Sequence, residues 1–340
     1  MRARAARTET MLALGWLPFA GIGLWAARPG NPLGLVVAVT LLFSFSHQGP
    51  TIALVHGDPA QRALRRKTFT WSAPIFAVAI AVGLWWAPLL LALVAASWNI
   101  VHTLQQRYGL VRAYGRSGGA SGDRARGHAR LERVLLFTWL AAALAWAAGD
   151  GRVPGLVERA RFGDVNGRAI ELLVEARGPA RMLFVVLAVA SVALLAAWVR
   201  AERRLGPGAS AVKHRYLAST LALLVVIGVS PAAGFVGYVG SHAFEYFVVV
   251  NGALARRYRG AGRHSSPLAA VIDRPRGRVI AWSLYGVALM AFVAAVDLVA
   301  PYPWSSVVLL TVGGCHIFWD GYIWKLRRPE VAASLGVGIA

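Results

Sequence analysis

The stretch "YVGSHAFEYFVVVNGALARRY", residues Tyr238 to Tyr258, decides the fold class. An α-helix needs roughly 20 residues at 1.5 Å each to cross the ~30 Å hydrocarbon core of a bilayer, and this stretch supplies them, yet it carries His242 and Glu245 in its middle. A backbone in lipid must satisfy its own hydrogen bonds, so such a segment is a helix, and an acid within it needs a partner. The rest of the chain agrees: of 340 residues 57% are hydrophobic and 15% charged, and the mean hydropathy is +0.55. Soluble domains carry about a quarter charged residues.

Apolar stretches of similar length predict spans at about 10–27, 33–56, 69–86, 88–110, 132–149, 181–200, 215–229, 234–255, 279–299 and 303–325. Short links rich in Pro and Gly separate several of them, as in "RPGNP" (28–32), "SPAAG" (230–234) and "APYP" (300–303). The expected fold class is therefore all-α: one polytopic integral membrane helix bundle over 1–340, with about ten transmembrane helices. Lys and Arg crowd every second loop, as in "QRALRRK" (61–67), the arginine-rich 107–133, "RAERRL" (200–205) and the tail "KLRR" (325–328). The positive-inside rule then puts both termini in the cytoplasm and implies a bacterial inner (plasma) membrane. Segment 150–180 mixes Asp150, Glu158, Asp164, Glu171 and Glu175 with arginines and reads as an external amphipathic segment.

The net charge of +21 would suggest nucleic acid in a soluble protein. Here it is divided among loops without a nucleic-acid-binding motif, so the bilayer and its anionic headgroups are the expected partner. The single cysteine, Cys315, excludes an internal disulfide and reads as a packing residue. No HExxH, GxSxG or phosphate-cradling Gly loop is present, which counts against zincin, serine-hydrolase and NTPase chemistry.

Eight histidines divide by position. His128, His214 and His264 fall in basic loops and read as solvated, and His56 sits at a boundary. His47, His102, His242 and His316 lie within the second, fourth, eighth and tenth spans, from about the midplane to a few ångström on its cytoplasmic side. Each has polar neighbours one helical turn away: Glu245 follows His242 at i+3 in "SHAFE", Asp320 follows His316 at i+4 in "CHIFWD", and Gln105 and Gln106 follow His102 in "WNIVHTLQQRY". Pro50 frees the carbonyl of Ser46 and predicts a kink beside His47.

An imidazole offers one nitrogen to a metal while the other donates to a group that fixes its tautomer, and carboxylates supply negative charge. The expected metal ligands are His47, His102, His242 and His316, with Glu245 and Asp320 as ligands or orienting groups and Gln105 and Gln106 as hydrogen-bonding supports. Nitrogen and oxygen donors without a thiolate cluster suit non-haem iron first, then another divalent transition metal. Tyr108, Tyr246, Trp319 and Tyr322 flank this layer and are candidates for a phenol or a channel wall. Hydrogen-bonding glue between helices stands beside the metal reading for the same residues.

In plan, dispersed histidines such as those of "SFSHQ", "WNIVH", "VGSHAFE" and "GGCHIFWD" in a polytopic chain resemble the membrane-integrated non-haem iron oxygenases: fatty-acid desaturases and hydroxylases, and the bacterial beta-carotene-cleaving dioxygenases. The desaturase boxes HxxxH and HxxHH are absent from this sequence, so the resemblance is one of architecture and carries over no residue. It implies an iron oxidoreductase with a lipid-soluble substrate and an electron donor. Three other classes stay open: a metal-free acyltransferase using His102 or His316 as base, a haem protein, and a transporter.

Overall fold

The computed structural model describes residues 2–117, 122–160, 166–205, 210–258, 266–300, 302–325, 331 and 333. His264, Asp164 and the basic residues of the tail after Lys325 lie outside them. Among the described residues every regular element is an α-helix. In chain order these are α1 (Arg2–Leu14), α2 (Trp16–Ala26), α3 (Leu33–Ser46), α4 (Gly49–His56), α5 (Pro59–Leu64), α6 (Arg66–Trp86), α7 (Pro88–Ser117) and α8 (Gly122–Gly149). There follow α9 (Val153–Ala160), α10 (Asn166–Arg203), α11 (Ala211–Val229), α12 (Pro231–Tyr258), α13 (Pro267–Ile272), α14 (Gly277–Val299) and α15 (Trp304–Ile323).

Among the described residues ten stretches are long and apolar enough to cross a membrane, and each overlaps one expected span. Large apolar side chains such as Val186, Val189, Leu284 and Met290 are exposed, a distribution compatible with helices whose solvent is lipid. The segment 150–180 is α9 followed by the first turns of α10, which runs unbroken through Pro179. The stretch "AIELLVEAR" is rich in strong helix formers, and the helix continues through Gly178 and Pro179 into the span expected from about 181. At 38 residues it is about 57 Å long, so its charged first turns extend beyond a ~30 Å core.

The chain groups into two compact units: Met1–Phe43 with Thr103–Glu245, and Ser44–His102 with Tyr246–Ile339. Helices α3, α7 and α12 give residues to both. In the first unit α8 packs on α10 and α11, α1 on α11, and α9 on α10. There Trp16 donates its indole N–H to Ser219 at 2.7 Å, and Ser219 donates in turn to the Ala13 carbonyl. Arg159 of α9 donates to the carbonyls of Ala26 (3.2 Å), Ala27 (2.8 Å) and Arg28 (2.9 Å), occupying acceptors that the end of α2 leaves orphaned. In the second unit α15 packs on α4, α6 and α14. Its core joins Leu54, Val55, Phe69, Tyr246, Val250, Cys315 and Trp319, and Cys315 packs there as expected.

Candidate metal centre

The break in the second span builds the centre. Pro50 has no N–H to return to Ser46, and the helix stops there: α3 ends at Ser46, His47 and Gln48 form a turn, and α4 begins at Gly49. The freed Ser46 carbonyl accepts from the Tyr285 hydroxyl. His47 and Thr51, on either side of the break, are both buried, at 1% and 0% exposure.

Within the second unit His102 from α7 and His316 from α15 meet His47, and each of the three offers a ring nitrogen within 4.8 Å of the others. The His47 and His316 Nε2 atoms are 3.0 Å apart. Asp320, one turn beyond His316, places Oδ2 3.9 Å from His102 Nε2, and its Oδ1 accepts from Thr51 Oγ1 at 2.8 Å and from the Tyr246 hydroxyl at 3.0 Å. Trp324 Nε1 donates to Tyr246 at 3.3 Å. Sequence reasoning marked Tyr246 as a phenol flanking the layer but missed Thr51, because a threonine in an apolar helix carries no signal until a carboxylate is found opposite it.

These contacts decide where protons lie. The one hydroxyl proton of Thr51 goes to Asp320, so at the 2.7 Å contact with His316 Nδ1 Thr51 accepts, and Nδ1 is the protonated nitrogen. His316 Nε2 then presents a lone pair. His47 Nε2, 3.0 Å away, either donates to that lone pair or, with its proton on Nδ1, presents a second one. In the second tautomer the two lone pairs repel unless a proton or a cation lies between them. The separation matches the roughly 3 Å between adjacent ligands bound at ~2.0–2.2 Å to one ion.

The remaining expected site residues fall in the first unit. His242 is buried at 1% exposure, and the Gln106 amide donates to its carbonyl at 3.3 Å. Gln105 is exposed. Glu245, expected as a ligand or orienter, has its oxygens engaged otherwise: Arg107 donates to Oε1 and Tyr216 to Oε2 at 2.9 Å. Arg107 also donates to Ser241 (2.9 Å) and Thr220 (3.3 Å), and both charged side chains are 0% exposed. Arg107, counted from sequence with the arginine-rich stretch 107–133, is instead the partner of this acid. An arginine buried to this extent requires a counter-ion, and Glu245 is it. Of the other flanking aromatics, Tyr108 donates to the Ala129 carbonyl (3.0 Å) and Trp319 to Ser72 (2.8 Å).

A second cluster in the first unit corrects the reading of His128 and His214 as solvated loop groups. His128 Nδ1 is 3.1 Å and His214 Nε2 2.6 Å from Glu202, which is itself buried. Lys213 donates to Glu202 and, at 3.0 Å, to Glu132, and Arg112 pairs with Glu132 at 3.2 Å. His128, Glu132 and Glu202 have ligand-type spacing, but the Lys213 ammonium already supplies the cation that their carboxylates need. Compared with family models, curated proteins and solved structures, the chain matches none.

Proposed function

We propose that the chain is a membrane-embedded, metal-dependent oxidoreductase of oxygenase, hydroxylase or desaturase type, acting on a lipid-soluble substrate. The observation that carries this reading is the buried approach of His47 Nε2 and His316 Nε2 to 3.0 Å, with His102 and Asp320 beside them. Three imidazoles and a carboxylate, with no thiolate, suit non-haem iron, with another divalent transition metal as the alternative. Iron there would supply dioxygen chemistry. The remaining tasks belong to the chain: His47, His102 and His316 hold the ion, Thr51 and Asp320 fix the tautomer of His316, and the apolar core around Cys315 and Trp319 keeps bulk water away. His242 stays in the proposed ligand set on its depth in the sequence alone, and Glu245 serves as the charge partner of Arg107. The reading further places the protein in a bacterial inner membrane with both termini cytoplasmic, and it calls for an electron donor.

Metal analysis of the detergent-purified protein tests it. About one equivalent of a transition metal per chain is expected, with near-complete loss in His316→Ala and in His47→Ala. Less than about a tenth of an equivalent in wild type would sink the proposal. His242→Ala, assayed in parallel, reports on the fourth ligand. A metal-free reading, with His316 as general base oriented by Thr51 and Asp320, rests on the same hydrogen bonds. Its weakness is that the basic nitrogen faces His47. Activity surviving exhaustive chelation would favour it.

A further inference from the structure

Between α10 and α11, wholly within the first unit, lies a cleft of about 450 Å³, within the ~300–1,000 Å³ range of pockets that take small molecules. Leu195, Val199, Leu217 and Leu221 form its apolar wall, with the Trp198 indole, and Glu202, Arg203 and His214 form its one polar end. The charges at that end do not cancel. Glu202 is saturated by Lys213, His128 and His214, while Lys213 and Arg112 together offset Glu202 and Glu132. Arg203 is left over. It is exposed, sits in the last turn of α10 with Arg200, and has no ion-pair partner among the described residues.

The position adds a second constraint. Arg203 ends the candidate membrane span Gly167–Arg203, the level at which lipid phosphates lie, whereas the leucine wall runs back along the span. A guanidinium forms paired hydrogen bonds with phosphate oxygens. His214, which donates from Nε2 to Glu202 at 2.6 Å, keeps Nδ1 as an acceptor for a headgroup hydroxyl. The excess positive charge here disfavours a headgroup that also carries a quaternary ammonium.

We propose that this cleft is a binding site for one anionic bilayer phospholipid, with an acyl chain along the leucine wall and its phosphate on Arg203. The full-length protein, delipidated in detergent, would be titrated with fluorescent phosphatidylglycerol and with phosphatidylcholine of the same acyl chains. Wild type should prefer phosphatidylglycerol by roughly tenfold, the order of one charge-assisted contact, and Arg203→Ala should remove that preference. Ala218→Trp, which fills the cleft, should weaken binding of both lipids. Arg274→Ala, at an exposed arginine of the other unit, should change neither. Equal binding of the two lipids by wild type, or an Arg203→Ala effect no larger than that of Arg274→Ala, would overturn the proposal. So would unchanged binding by an Ala218→Trp protein of native helical content. Because Arg203 is exposed, its substitution is expected to keep native helical content, which circular dichroism checks.

Discussion

Thr51 donates one proton to Asp320 and accepts one from His316, and so determines which nitrogen of that imidazole is left to bind. Thr51→Val keeps the shape and removes both bonds. If Thr51 acts as an orienting group, metal affinity should fall by about 10–100-fold with the ligands in place, and competition with a chelator of known affinity would read the change. An unchanged affinity would reduce Thr51 to packing. A second residue-scale prediction concerns a charge outside the spans. Arg152 hydrogen-bonds Asp150 at 2.5–3.0 Å and holds its carboxyl below the usual value, with its backbone N–H helping. A carboxyl lowered on folding stabilises above its unfolded pKa of about 3.9, and that contribution is lost as pH falls through the folded value. Asp150→Asn should therefore unfold at a slightly lower temperature than wild type at pH 7, and the difference should vanish in strong acid. A difference independent of pH would exclude the charge as its source.

At the scale of elements, one close constraint is the reversal from α11 to α12 through Ser230. Gly234 lies against the Ile227 backbone so closely that a Cβ would collide with atoms that cannot rotate away, and small residues at such crossings let helices approach. Gly234→Ala should cost about 1–3 kcal/mol, read as a lowered Tm in detergent. An unaltered Tm would mean that the two helices separate freely. The "SPAAG" link announced this turn, and Pro50 announced the break beside His47, because both act through the backbone within one turn of chain. The continuity of α10 through Pro179 was not announced. Proline disfavours a helix only locally, and the good helix formers on both sides of it outweigh that cost.

For the whole molecule, topology is the testable statement. Reporter fusions at Arg204 should read cytoplasmic and at Gly155 external, following the alternation of Lys and Arg. A cytoplasmic signal at Gly155 would remove the common depth assigned to the histidines. The all-helical character, with ten stretches long and apolar enough to cross a membrane among the described residues, was readable from composition and the length of apolar stretches, since a bilayer imposes one solution on any backbone that enters it. The candidacy of His47, His102, His316 and Asp320 was readable too, because an ionisable group in lipid has few reasons to be there. Which of those groups share a site was decided only by tertiary structure. The carboxylates of Glu245 and Asp320 look alike in sequence, each one turn beyond a histidine, but Glu245 meets Arg107 while Asp320 meets Thr51 and Tyr246. Periodicity along one helix specifies a face, whereas the partner on that face comes from another helix far away in the chain. The assignment of an acid to an arginine or to an imidazole therefore depends on packing, where the low dielectric makes every unpaired charge too costly to keep.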